Sequence, residues 1–124
     1  MLCTEGAACH LAQCGGGCSM ECDGPTCAID ECGLGCTMSC DGGRTCELGT
    51  CTGGGCHLQR LFTSTRDEGA TLIIATCPGG FCNIDCGPLD TCSIGACAAG
   101  DCTITCAPGA QCTCGDAGCS VIPS

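Results

Sequence analysis

The 124-residue sequence has no Lys, no Trp, no Tyr and only two Phe. So few large side chains exclude an ordinary globular core, because apolar burial alone would not offset the backbone entropy of ordering the chain. Positive charge is nearly missing too, with three Arg set against 13 acidic residues for a net charge of −10. Nucleic acid and anionic membrane surfaces are therefore not expected partners. The longest apolar run, Leu72 to Ala75, is far too short for a membrane span. The opening MLCTEGAACH has neither the basic nor the apolar region of a signal peptide. The expectation is a leader removed upstream or a segment of a longer chain.

What the sequence does have is 22 Cys and 22 Gly. Cysteine at this density replaces a missing core with cross-links, each worth about 2 to 5 kcal/mol in a small domain. Such a framework persists in an oxidising compartment, so an extracellular or cell-surface location is expected.

The stretch Cys82 to Cys106, CNIDCGPLDTCSIGACAAGDCTITC, carries the repeat most clearly. Cys82, Ile84 and Cys86 alternate with Asn83 and Asp85, the period of a strand with one buried face. A second strand begins with Cys92 and Ile94. Aligned on this unit, the first strand starts at Cys18, Cys36, Cys56, Cys82 and Cys102, at spacings of 18, 20, 26 and 20 residues. It ends at Cys22, Cys40, Cys86 and Cys106, with Cys3 in the same slot of an opening partial coil. The second strand starts at Cys9, Cys27, Cys46, Cys92 and Cys112 and ends at Cys14, Cys32, Cys51, Cys77 and Cys97. Between the cysteines, Met20, Met38, Leu58, Ile84 and Ile104 face Leu11, Ile29, Leu48, Ile74 and Ile94. Gly, Pro and Asp fill the connections, as turns require. The pattern predicts an all-β fold: a flattened, disulfide-rich parallel β-solenoid of about six coils with roughly 20 residues per coil. Right-handed winding is expected from the general preference of parallel crossovers.

One coil lacks two cysteines, with Arg60 and Leu72 in their slots, on either side of the extended segment RLFTSTRDEGATL. Losing both together suggests that the two columns bond to each other. Each column also holds five cysteines, so pairing between coils would strand a thiol in every one. The expected pairs are therefore local: Cys3 with Cys9, Cys14 with Cys18, Cys22 with Cys27, Cys32 with Cys36, Cys40 with Cys46 and Cys51 with Cys56. The remainder are Cys77 with Cys82, Cys86 with Cys92, Cys97 with Cys102, Cys106 with Cys112 and Cys114 with Cys119. One domain, residues 1–124, is expected, with an inserted loop at about 61–70.

Four chemistries compete for this scaffold. Thiolate metal clusters favour C-x-C and C-x-x-C pairs, and the chain has one C-x-C, at Cys112 and Cys114, and no C-x-x-C. Calcium would need converging oxygens; Asp23 and Asp41 repeat at one turn slot, which then holds Gly87 and Ala107. Metal or calcium binding thus stands as a second alternative, and no cofactor is expected. Enzymatic activity has no constellation to rest on, since His10 and His57 lie on outward positions of different strands, and no small-molecule substrate is expected. The inserted loop, Leu61, Phe62, Thr63, Ser64, Thr65, Arg66, Asp67 and Glu68, is the candidate contact surface, as protruding loops on rigid scaffolds often are.

Short disulfide-bridged coils with outward Thr resemble the β-solenoid antifreeze proteins of insects, whose flat Thr-x-Thr faces order water. Thr37 with Ser39 and Thr103 with Thr105 match that spacing and form a candidate ice face. The neighbours Ser19 with Glu21, His57 with Gln59 and Asn83 with Asp85 depart from it. Thr26, Thr45, Thr71 and Thr91 form a regular single column. The resemblance implies ice binding as the alternative function. Similar C-x-x-x-C and Gly-containing turn repeats occur in uncharacterised secreted bacterial proteins, which implies a location. The primary expectation is a non-enzymatic structural segment or fibre subunit that self-associates end to end, since uncapped strand edges invite a further copy.

Overall fold

A computed structural model describes residues 2–3, 9–22, 26–40, 45–60, 69–115 and 118–123, with backbone only for Leu2, Cys3 and Arg60. The candidate loop 61–68, the pairing of Cys3 with Cys9, and Asp23 and Asp41 lie outside these residues or depend on them.

Thirteen strands alternate along the described chain: β1 (Leu2–Cys3), β2 (Cys9–Cys14), β3 (Ser19–Cys22), β4 (Thr26–Cys32), β5 (Thr37–Cys40), β6 (Thr45–Cys51) and β7 (His57–Arg60) come first. They continue with β8 (Thr71–Thr76), β9 (Asn83–Cys86), β10 (Thr91–Ala96), β11 (Cys102–Cys106), β12 (Gln111–Cys114) and β13 (Cys119–Pro123). Odd strands form one sheet in chain order and even strands the other. Every pairing is parallel. The protein is a parallel β-solenoid of about 20 residues per coil, and no helix occurs among the described residues.

Each coil can bury little, so what it buries is in register with its neighbours. Met20, Met38, Leu58, Ile84 and Ile104 stack down the odd sheet. Ile29, Leu48, Ile74 and Ile94 stack down the even one, and all nine are at most 1% exposed. On the even strands an extra residue follows the core position: Leu11 pairs with Ile29 and Gln13 with Glu31, while Ala12 and Asp30 form no ladder pair. This bulge-like residue turns the closing cysteine inward again.

The turns are as regular as the strands. One edge of the solenoid, after the even strands, is rich in glycine, and its turns stack backbone on backbone. Gly17 N–H donates to the Leu34 carbonyl at 2.8 Å, Gly35 to Gly54 at 3.0 Å, Gly55 to Gly80 at 3.0 Å and Phe81 to Gly100 at 3.2 Å. The ladder therefore continues around the corner. A Cβ at Gly53 would fall on the carbonyl oxygen of Gly33, so only glycine allows this approach. The residue preceding the next cysteine is left-handed: Gly35 and Gly55 hold this slot at φ 63° and 74°, and Phe81 and Asp101 hold it at 59° and 62°. An L side chain there costs about 1–2 kcal/mol.

The coil that lacks two cysteines is continuous with the rest, Arg60 standing beside Cys40 and Leu72 beside Cys46 and Cys92. Leu72 is fully buried and fills the vacant slot with apolar volume. The double substitution Arg60→Cys and Leu72→Cys is expected to close one further disulfide and add about 1–3 kcal/mol of stability. Intact mass under non-reducing conditions and a denaturant midpoint check this; two free thiols in the folded variant would contradict it.

Candidate functional site

Disulfides determine what the interior can do. Cys14 is bonded to Cys18, Cys22 to Cys27, Cys32 to Cys36, Cys40 to Cys46 and Cys51 to Cys56. Cys77 is bonded to Cys82, Cys86 to Cys92, Cys97 to Cys102, Cys106 to Cys112 and Cys114 to Cys119. No free cysteine remains among the described residues. Sulfurs of successive coils crowd together: five groups of three Sγ atoms, including Cys32, Cys51 and Cys56, lie with all three within 4.8 Å of one another. Oxidised sulfur is a poor metal ligand, because the thiolate is the species that binds, so these groups could hold a soft ion only after reduction.

The outward face of the odd sheet is polar. Ser19, Thr37, His57, Asn83, Thr103 and Ser120 form one column, and Glu21, Ser39, Gln59, Asp85 and Thr105 run beside it. The candidate ice-face residues share these columns, but Thr37 and Ser39 on β5 are three strands from Thr103 and Thr105 on β11. That is about 14 Å at the parallel strand spacing. The two coils between are bonded to their neighbours: Gln59 Nε2 donates to Ser39 Oγ at 3.0 Å, and His57 Nε2 lies 2.9 Å from Asp85 Oδ2. His10 makes the matching contact on the even sheet, 2.8 Å from Asp30. Both histidines thus reach an acid one coil on, and exposed pairs of this kind contribute little to stability.

On the even sheet Thr26, Thr45, Thr71 and Thr91 are in register. Thr50 and Thr76 form a second short column, where Thr76 Oγ1 lies 3.1 Å from Thr50 Oγ1 and donates to the Gly49 carbonyl at 3.2 Å. A shallow hollow beside it is lined by Thr76, Cys77, Pro78, Ala96 and Ala98. Its one hydroxyl is already engaged, leaving the hollow no group with which to act on a ligand.

The sequence reading missed Asp90, the buried acidic residue among those described, 1% exposed. Its Oδ1 accepts from Ala70 N–H and its Oδ2 from Gly87 N–H, both at 2.8 Å. Its own N–H donates to the Gly87 carbonyl at 3.0 Å, and its carbonyl accepts from Gln111 at 3.0 Å. Asp90 therefore ties together three successive coils at the edge where Arg60 and Leu72 replace a disulfide. In sequence it reads as a turn residue; its place directly after the altered coil was the available signal. The Gly87 slot, where the Asp23 and Asp41 repeat ends, supplies a backbone donor to this clamp.

No family model matches the chain, and no curated protein or solved structure is similar to it. The resemblance to known repeat proteins thus goes no further than the architecture: a cysteine-rich parallel β-solenoid.

Asp90→Ala is expected to lower stability by about 1.5–3 kcal/mol, as for a lost charged hydrogen-bond acceptor. It should also raise hydrogen exchange at the Ala70 and Gly87 amides, while Asp90→Asn, which keeps one acceptor, falls between. Unchanged exchange at both amides would refute the clamp.

Proposed function

We propose that this chain is a non-enzymatic extracellular structural segment, a rigid disulfide-stapled rod that associates end to end with a second copy. The observation that carries the reading is the fate of the core column. Met20, Met38, Leu58, Ile84 and Ile104 are buried to 1% or less, while Val121, in register with Ile104, is 44% exposed. Ile122 beside it continues the outward column of Thr105 and is 47% exposed. On the neighbouring strand Cys112 and Cys114 are only partly covered.

A further coil would bury Val121, Cys112 and Cys114 and pair the free edges of β12 and β13. The β2 end of another copy offers the same slot pattern, with Cys9 and Leu11 partly buried in the core positions. Pro123 removes one donor from the β13 edge; the adjoining residues keep theirs. Support for an extracellular setting comes from the disulfides, which persist where the compartment is oxidising. Cross-coil pairs on the outward faces, such as Gln59 with Ser39 and His57 with Asp85, tie neighbouring coils together and suit a rod.

The net charge of −10 opposes stacking like-charged rods, and salt screens that repulsion within about 10 Å at 0.1 M. Filament mass in negative-stain electron microscopy and sedimentation is accordingly expected to rise with protein concentration and with salt from 10 mM to 0.5 M. Val121→Asp, which puts a charge in the core column, should abolish it. Monodisperse particles at every salt and protein concentration would sink the proposal, and thermal hysteresis would then test the ice-binding alternative.

A further inference from the structure

The disulfides on the two edges are not equivalent. Along the glycine edge Cys14–Cys18, Cys32–Cys36, Cys51–Cys56, Cys77–Cys82 and Cys97–Cys102 follow one another without a gap. Sγ groups within 4.8 Å link each to the next: Cys36 with Cys14 and Cys18, Cys32 with Cys51 and Cys56, Cys51 with Cys77 and Cys82, and Cys77 with Cys97 and Cys102. On the opposite edge the corresponding group is Cys22 with Cys40 and Cys46, and the next coil has Arg60 and Leu72 instead of a pair.

Exposure differs along the glycine edge too. Cys18 is partly exposed, whereas Cys32, Cys51, Cys56, Cys77, Cys82 and Cys97 are 0% exposed. Within this run a reagent reaches the first pair directly, while the inner pairs are covered; the partly exposed Cys106, Cys112 and Cys114 belong to pairs outside it.

The geometry points to an intramolecular thiol–disulfide relay along the glycine edge, opened at Cys14–Cys18 by an external small-molecule dithiol. A thiolate of the dithiol attacks Cys18 Sγ, forming a mixed disulfide and expelling the Cys14 thiolate. The second thiol of the reagent then closes its own disulfide and frees Cys18. The reagent is oxidised by two electrons and one protein disulfide is reduced.

From there each step is an isomerisation with no net redox change. Cys14 or Cys18 thiolate attacks Cys36, making a new inter-coil bond and expelling Cys32 thiolate. Cys32 is the sulfur of its pair that stands beside both Cys51 and Cys56. Attack on Cys56 expels Cys51, which stands beside Cys77 and Cys82; attack on Cys82 expels Cys77, which stands beside Cys97 and Cys102. At every coil the leaving sulfur is the one placed to attack next. A protonated thiol does not attack, so the relay quickens as pH rises toward the thiol range, about 8.5.

The test uses the intact oxidised protein. It is treated with one molar equivalent of dithiothreitol at pH 8, quenched over time with acid and N-ethylmaleimide, digested with pepsin and mapped by mass spectrometry. Within the run, label is expected first at Cys14 and Cys18; the partly exposed Cys106–Cys112 and Cys114–Cys119 pairs label independently of it. Bonds joining Cys36 to Cys14 or Cys18, Cys32 to Cys51 or Cys56, and Cys51 to Cys77 or Cys82 should follow, with label moving to the buried coils. On the opposite edge no bond should join Cys40 or Cys46 to Cys86 or Cys92. Label confined to the exposed pairs at all times, with native pairing elsewhere, would overturn the relay. So would an all-or-none mixture of untouched and fully reduced chains, which signals entry by global unfolding. Cys32→Ser with Cys36→Ser should confine label entering at Cys14–Cys18 to that pair; if the variant does not fold, the wild-type linkage map decides alone.

Discussion

Apart from the altered coil, where Leu72 is added, each inner coil of this protein encloses one pair of apolar side chains, and a pair is too little to fix some 20 residues of backbone. That shortage governs the rest of the structure. Burying two such side chains contributes roughly 3–6 kcal/mol, against about 1 kcal/mol or more of backbone entropy for each residue ordered. Closing each turn with a short disulfide lowers the entropy of the unfolded chain. Stacking the coils in register pays the balance through shared ladders that run through strands and glycine turns alike. The altered coil bears out this dependence, since where Arg60 and Leu72 leave no cross-link, a buried leucine and the Asp90 carboxylate stand in its place.

The same constraint explains why the fold could be read from residues alone. Alternation in C-N-I-D-C can only be a strand with one buried face, and five cysteines in each of four slots leave an unpaired thiol unless neighbours along the chain bond. Register then follows, because a one-residue slip would turn every cysteine and isoleucine outward. Asp90 was not legible in this way. Its role depends on the amide of Ala70, twenty residues away, pointing at its carboxylate, and no periodicity carries that. Phe81 and Asp101 were not legible either, since they occupy a left-handed slot that glycine fills in other coils.

The outward surface is harder to interpret because the scaffold leaves it free. Core and turn positions are fixed by packing, whereas the columns starting at Ser19 and Glu21 vary from coil to coil between hydroxyl, amide, imidazole and carboxylate. These groups bond chiefly to the coil above or below, as Gln59 does to Ser39 and His57 to Asp85. Along these columns Thr-x-Thr spacing is therefore complete only at Thr103 and Thr105, because no packing constraint repeats it in the other coils.

Cross-linking by stacked disulfides has a chemical consequence that packing alone would not. Apolar columns are inert, but a column of disulfides is a row of electrophilic sulfurs at nearly the strand spacing, each shielded from solvent by the coils on either side. Burial protects such a row only while no thiolate enters it. Once one does, the proximity that excludes water also places the next acceptor within reach, so the path along the edge is shorter than any path through solvent. The opposite edge lacks this continuity because the Arg60 and Leu72 coil interrupts it with groups that cannot exchange. The Arg60 and Leu72 coil therefore divides the molecule chemically while leaving its ladders unbroken: one edge along which cross-links can migrate, and one in which the missing pair stops them.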